Sequence, residues 1–294
     1  MYIQLRKKIK QFPNQIFYYD IGLAILRPIL SFLVIMHHFH DYSLDKGKFK
    51  LFFRALHKFE FHVTIFFLMS FYFSHKTLIS KDYKKKLERL KRLIVPYFLW
   101  PIIVFFLNKI LRKFFKIKDI SFIQLKFQLL CGFNFIYSLW YQCNLIIITI
   151  FYMLIILIFK RFAYLVLIIM AIKGLIYQYN GRNFSFFYQF THSRECLGKI
   201  LEMFPYSVTG FLFASSGIIK SLKRVNIQVV IASIYLIYFI CNYNAISNIS
   251  GYGYTGLKLY FISIGIFICF AMFPSEKIKN NNVIKLIKKI IFFH

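Results

Sequence analysis

Four residues in the first third of the chain have types and spacing that chemistry can use: Arg27 and His38, eleven apart, and Arg89 and Arg92, three apart. On an α-helix an offset of eleven residues is about three turns plus 20°, so Arg27 and His38 project from one face, about 16 Å apart along the axis. His37 is turned away from Arg27 by about 80°, which makes His38 the better partner for it in one lumen. The stretch that holds them, AILRPILSFLVIMHHFHDYS (24 to 43), otherwise has the length and apolar character of a membrane span. An arginine inside such a span costs roughly 2.5 to 3.5 kcal/mol on insertion scales, so Arg27 should face the bundle interior or a wet cavity. Arg89 and Arg92 are neighbours on one helical face in YKKKLERLKRLIVPYFLWP (83 to 101). Two guanidinium groups so placed can grip phosphate oxygens bidentately.

Each group also has a plainer reading. His37, His38 and His40 can be interfacial histidines at a helix end, and Arg89, Arg92 and Lys84 to Lys86 can be positive-inside anchors. For the three lysines the anchoring role is the expected one. Nothing elsewhere supplies clear extra ligands to His37, His38, His40 and Asp41, so no metal site is expected. The HHFHD string also lacks the His-to-Asp spacing of soluble acyltransferases.

The elements that position these residues follow from composition. Of 294 residues, 59% are apolar and the mean hydropathy is +0.59, which excludes an ordinary soluble domain. Apolar windows of about 20 residues match the length an α-helix needs to cross a bilayer. The continuous runs exclude a β-barrel, whose strands would alternate. The expected fold is all-α, a polytopic transmembrane helical bundle of about eight spans in a single domain covering 1 to 294. The spans fall at 21 to 39, 59 to 75, 93 to 111, 137 to 159, 162 to 178, 204 to 220, 225 to 242 and 256 to 273, with an interfacial helix at 120 to 133. The closing KKIIFFH reads as the start of an incomplete last helix, from about Val283.

The net charge of +29 sits between the apolar runs, so it speaks for lipid headgroups and topology and against nucleic acid as a partner. With the N-terminus cytoplasmic, the inner connections hold 22 Lys and Arg and the outer ones 14. The N-terminal MYIQLRKKIKQFPNQ lacks a small-residue cleavage site and is expected to lead into a retained first helix. The five cysteines show no CxxC or metal spacing and read as small buried apolar residues.

These features together resemble acyltransferase family 3, integral-membrane O-acyltransferases that modify extracytoplasmic glycans. Arg27 and His38 are similar to that family's arginine, ten residues, histidine pattern. FHVTIFFLMSFYFSHK (61 to 76) resembles its second-helix motif, with Phe71 where glycine is usual. RLKRLIVPYFLW (89 to 100) resembles its paired-arginine motif, and YSLWYQCNLIIITIFY (137 to 152) its Leu-Trp-rich fourth helix. Pro28 follows Arg27 where the family usually carries glycine, and should kink the helix.

The resemblance implies acyl-CoA, with acetyl-CoA the expected donor, a glycan or glycolipid hydroxyl as acceptor, and a plasma-membrane location. It implies His38 as general base, Arg27 on the thioester or its oxyanion, and Arg89 and Arg92 on the coenzyme A phosphates. Glu60 and His62 could assist His38, and the segment with Glu195 and Glu202 could suit sugar binding, though both also fit headgroup-level positions. A transporter of an anionic glycolipid or metabolite, and a noncatalytic membrane scaffold, are the rival classes.

Overall fold

The computed structural model describes residues 21–43, 61–115, 119–132, 139–179, 193–222 and 257–272. These residues are helical, with no strand among them. The helices are α1 (Ile21–Ser43), α2 (Phe61–Ile79), α3 (Tyr83–Leu111), α4 (Phe122–Cys131), α5 (Leu139–Phe159), α6 (Ala163–Tyr179), α7 (Ser193–Ser216), α8 (Ile218–Leu222) and α9 (Leu257–Ala271). Seven of the eight apolar runs expected from the sequence fall on these helices; the run 225 to 242 and the closing segment lie outside the described residues. Two helical stretches, Tyr83–Leu111 and Leu139–Gln178, are long and apolar enough to cross a membrane, while Gly22–Val34 and Leu259–Ala271 are apolar but shorter.

Local signals explain several boundaries. Asp82 caps α3, its carboxylate accepting from the backbone N–H groups of Lys84 (3.0 Å) and Lys85 (3.4 Å). The helix therefore starts ten residues before the apolar run and carries the basic segment, expected as a connection, into regular structure. Ser121 and Gln124 form a reciprocal capping box that opens α4, and Gly132 closes it at φ +71°. The interval between α5 and α6 is a short 3-10 turn in which Lys160 takes φ +44°, a conformation that breaks the helix. Beyond it Tyr164 meets Phe211, and Gln178 meets Glu202. The chain therefore runs back antiparallel to α7, while α5 runs parallel to it, with Trp140 beside Lys199 and Tyr152 beside Ser207.

α2 and α7 form the centre and pack most extensively on each other. On one side, Leu23, Leu26 and Leu30 of α1 and Phe267 and Ala271 of α9 pack against Ile65, Leu68 and Met69 of α2. Thr64 and Ser263 join α2 to α9 by a buried 2.6 Å hydrogen bond. On the other side, α5 and α6 close over Phe67, Phe71, Phe204 and Phe211, with Tyr152 in the middle of the aromatic stack. α3 lies outside α5, held to it by Gln142 Nε2 donating to the Leu93 carbonyl (2.9 Å), and is tied to α4 by the Tyr97 hydroxyl donating to the Gln128 and Leu129 carbonyls. At the far end of α3, Asp119 accepts from Lys109 and Arg112, both at 2.6 Å, and tethers the entry to α4. The Lys109 hydrogen bond, followed by the charge of Arg112, holds the Asp119 carboxyl below the ordinary carboxylate range.

The α2–α7 contact depends on Gly210. A methyl group there would run into the Leu68 backbone carbonyl, which cannot swing aside as a side chain could. Gly210→Ala should therefore destabilise the protein by about 1 to 3 kcal/mol. Thermal unfolding in detergent checks this, and an unchanged midpoint would show that the two helices can separate without loss.

Candidate functional site

The inward stripe of α3 runs through Lys86, Leu90, Leu93 and Tyr97, the spacing of one helical face. Arg89 lies beside this stripe and reaches into the bundle. Its Nη2 donates to the Ser70 hydroxyl at 3.1 Å and to the Ser70 carbonyl at 3.5 Å, halfway along α2. The guanidinium lies over the Phe71 ring, 5.8 Å from its centroid. Phe71, the residue that departs from the family pattern, thus supplies an aromatic face for the cation. It is also fully buried against Tyr152.

Arg92 has a different setting. Its side chain is 82% exposed and stands 3.8 Å from Glu88, itself 67% exposed. Sequence spacing put the two arginines on one face; packing turns Arg89 inward and leaves Arg92 at the surface. Arg89 makes no ion pair among the described residues, and its Nε is buried without a hydrogen-bond partner. A guanidinium held in a bundle without a carboxylate is a ready anion site, because leaving a buried charge unpaired is costly.

The sequence reading missed two residues near Arg89. Lys86, read as one of three anchoring lysines, is buried, its ammonium 5.5 Å from the Tyr83 ring centroid, whereas Lys84 and Lys85 are exposed. The signal for it was available in the 86, 90, 93, 97 spacing. Tyr141 packs edge-on against Phe67 at 4.8 Å and lies 6.1 Å from Phe66, one turn along α2 from Ser70 and Phe71. Phe66 also packs on the α1 side of the core. The Tyr141 hydroxyl is within electrostatic reach of both Arg89 and Arg27.

Arg27, expected from the sequence to face the bundle interior or a wet cavity, is exposed on α1 and not packed into the bundle, and its carbonyl accepts from the Ser31 hydroxyl at 3.1 Å, in the turn that contains Pro28. His38 lies on α1 eleven residues beyond Arg27, a register that keeps both on one face; its side chain lies outside the described residues. His62 is buried at the start of α2, and Glu60 and Glu195 lie outside what the side-chain positions describe. The described histidine with the clearest partner is His75, whose Nε2 lies 3.2 Å from the Tyr164 hydroxyl and whose ring packs on Phe211. That arrangement is a satisfied core histidine.

Among the described residues no group of three or more His, Cys, Asp or Glu is placed to hold a metal ion. What the arrangement offers chemically is a cation, Arg89, held in the bundle beside Ser70 and Phe71 with the Tyr141 hydroxyl in electrostatic reach.

No curated protein and no solved structure matches the chain at a significant level. A family model described as an acyltransferase domain matches residues 20–293, nearly the whole length and all four of the motif stretches. Since that match spans nearly all of the chain, the protein belongs to acyltransferase family 3.

Proposed function

We propose that the protein is an integral-membrane O-acyltransferase that moves an acyl group, acetyl in the simplest case, from acyl-CoA to a hydroxyl of a cell-surface or exported glycan. The observation that carries this reading is Arg89, drawn into the helix bundle against Ser70 and Phe71 without a carboxylate partner among the described residues. A structural arginine would be expected to have an acid beside it.

The thioester supplies the activated acyl group. His38 takes the proton from the acceptor hydroxyl as its oxygen bonds to the thioester carbonyl carbon. Arg27, about 16 Å from His38 along the helix axis, steadies the donor on the thioester side of the site, and Arg89 fixes it through its anionic groups. The carbon–sulfur bond then breaks, and His38 returns the proton to the departing thiolate. Arg92, exposed at the surface beside Glu88, meets phosphates at the entrance.

The bilayer is the setting that suits the exposed apolar faces. Phe98, Leu99, Trp100, Phe106 and Leu107 on α3, and Leu154, Leu157, Leu165, Ile169 and Ile172 on α5 and α6, are all exposed. Surface of that extent favours hydrocarbon over water. In this proposal eight spans lie in the cell membrane, and the excess of basic residues in the inner connections favours a cytoplasmic N-terminus, and hence donor entry from the cytoplasm.

Purified protein reconstituted with acetyl-CoA carrying a labelled acetyl group should release free thiol and transfer label to a glycan extract in equal amounts. Absence of both would overturn the reading in favour of a scaffold. Movement of an anionic glycolipid across sealed vesicles, without thiol release, would favour a transporter.

A further inference from the structure

The inward stripe of α3 carries a second cation, one turn from Arg89. Lys86 is 8% exposed, although its basic neighbours Lys84, Lys85 and Lys91 are all exposed. A lysine is seldom buried unless an acid or an acceptor meets it, because an ammonium has three donors to satisfy. Among the described residues the Lys86 ammonium makes no ion pair or hydrogen bond; its contact is the Tyr83 ring, 5.5 Å away at the centroid. Tyr83 is itself 62% exposed, so that ring gives the cation a face but no acceptor.

Arg89 is in a similar position. Its Nε is buried without a hydrogen-bond partner, and no carboxylate stands beside it among the described residues. The two acids of this stretch are engaged elsewhere: Asp82 caps α3 and stands 3.5 Å from Lys85, and Glu88 stands 3.8 Å from Arg92. Side chains three apart on a helix are neighbours, and like charges so placed repel, more strongly where water is excluded. Two cations turned inward without an acid therefore leave positive charge for an anion to neutralise.

Helical register decides which cation partners Arg89. At 100° per residue Arg89 lies about 60° from Lys86 on one side and about 60° from Arg92 on the other. The buried stripe through Leu90, Leu93 and Tyr97 falls on the Lys86 side. Arg92, about 120° from Lys86, is carried out to the surface beside Glu88. A phosphate suits the inward pair: the guanidinium fork takes two oxygens, the ammonium a third, and the second negative charge matches the second cation.

We infer that Lys86 and Arg89, rather than Arg89 and Arg92, form the buried seat for a phosphate group, which makes Lys86 a binding residue of the donor site. Assigning that phosphate to the donor rests on the acyltransferase reading. An anionic phospholipid headgroup brings the same chemistry, and the test separates the two sources.

Lys86→Met in the full-length protein keeps the length and apolar stem of the side chain and removes its charge. In nanodiscs of phosphatidylcholine, calorimetry should find the Kd for coenzyme A raised about tenfold by this substitution. Arg92→Met should raise it about twofold or less, because an exposed charge is screened. Lys86→Arg should keep most of the affinity, whereas a packing role would tolerate methionine and reject the bulkier arginine. In an Arg89→Ala background the effect of Lys86→Met should shrink to about threefold or less, since both residues act on one group. Melting curves identify any variant that fails to fold, and Lys86→Gln then carries the same comparison.

Replacing part of the phosphatidylcholine with phosphatidylglycerol distinguishes the sources. A Lys86 dependence of coenzyme A binding in both lipids assigns the seat to the donor. If coenzyme A affinity is the same with and without the Lys86 charge, and phosphatidylglycerol raises the melting midpoint of the wild type but not of Lys86→Met, the seat stands and its occupant is the lipid headgroup. Equal coenzyme A affinity together with equal lipid response would overturn the seat. Equal losses in Lys86→Met and Arg92→Met would do so too, as the mark of a general surface charge. Lys86-dependent coenzyme A binding by protein that transfers no acyl group would support the seat and overturn the catalytic reading; acyl transfer by Lys86→Met at the wild-type donor KM would do the reverse.

Discussion

His38→Ala should lower acyl transfer by about 100- to 10,000-fold, the usual effect of removing a general base. His37→Ala should retain most activity, because its Cα–Cβ direction is turned about 100° from that of His38 on the same helix. Both substitutions fall near the end of α1 and remove the same number of atoms, so a packing effect would move them together. Arg27→Lys is expected to be strongly impaired although it keeps the charge, since a planar two-pronged donor is replaced by a flexible ammonium. The readout is label transferred per folded protein. Equal loss in the His37 and His38 variants would assign both to the helix end, and wild-type activity in the His38 variant would remove it from the chemistry.

The second large effect concerns Arg89. A charged hydrogen bond contributes about 1.5 to 3 kcal/mol, so Arg89→Ala should raise the donor KM, or lower kcat/KM for the donor, by roughly 10- to 150-fold. Arg92→Ala should change the same constant far less, because an exposed guanidinium beside an exposed Glu88 is screened by solvent. Ser70→Ala separates binding from positioning: it removes the hydroxyl that accepts from Arg89 and leaves the charge in place, so its effect should fall between the two. Calorimetry with coenzyme A checks the assignment without turnover. Unchanged affinity in a folded Arg89→Ala protein would make Arg89 a packing residue, and equal losses at Arg89 and Arg92 would mean that both reach the donor.

Much of the fold could be read from the chain because membrane-length apolar runs, caps and prolines act locally. The apolar runs at 21 to 39 and 93 to 111 each specify a helix without reference to any distant residue, and the Ser121–Gln124 box and Gly132, which the structure reveals, act as locally. The family was legible for a related reason: its motifs are short, ordered spacings along single helices, as in Arg27 with His38 and Arg89 with Arg92. Helical periodicity states how far apart two side chains point. It does not state which of them turns toward a neighbour.

That decision belongs to packing, and α3 shows why. Its apolar residues go all the way round, with Val95, Phe98 and Leu99 exposed while Leu93 and Tyr97 turn inward, so no polar face marks the outside as it would in water. The chain alone therefore left Arg89 and Arg92 equivalent and Lys86 among the anchors. The hydroxyl of Ser70 and the ring of Phe71, nearly twenty residues away, distinguish them. The same holds for Tyr141, which packs on Phe67. In a chain with 21 tyrosines and 39 phenylalanines, composition singles out none of them. Only the packing of α5 on α2 sets Tyr141 against Phe67, one turn from the residues that hold Arg89.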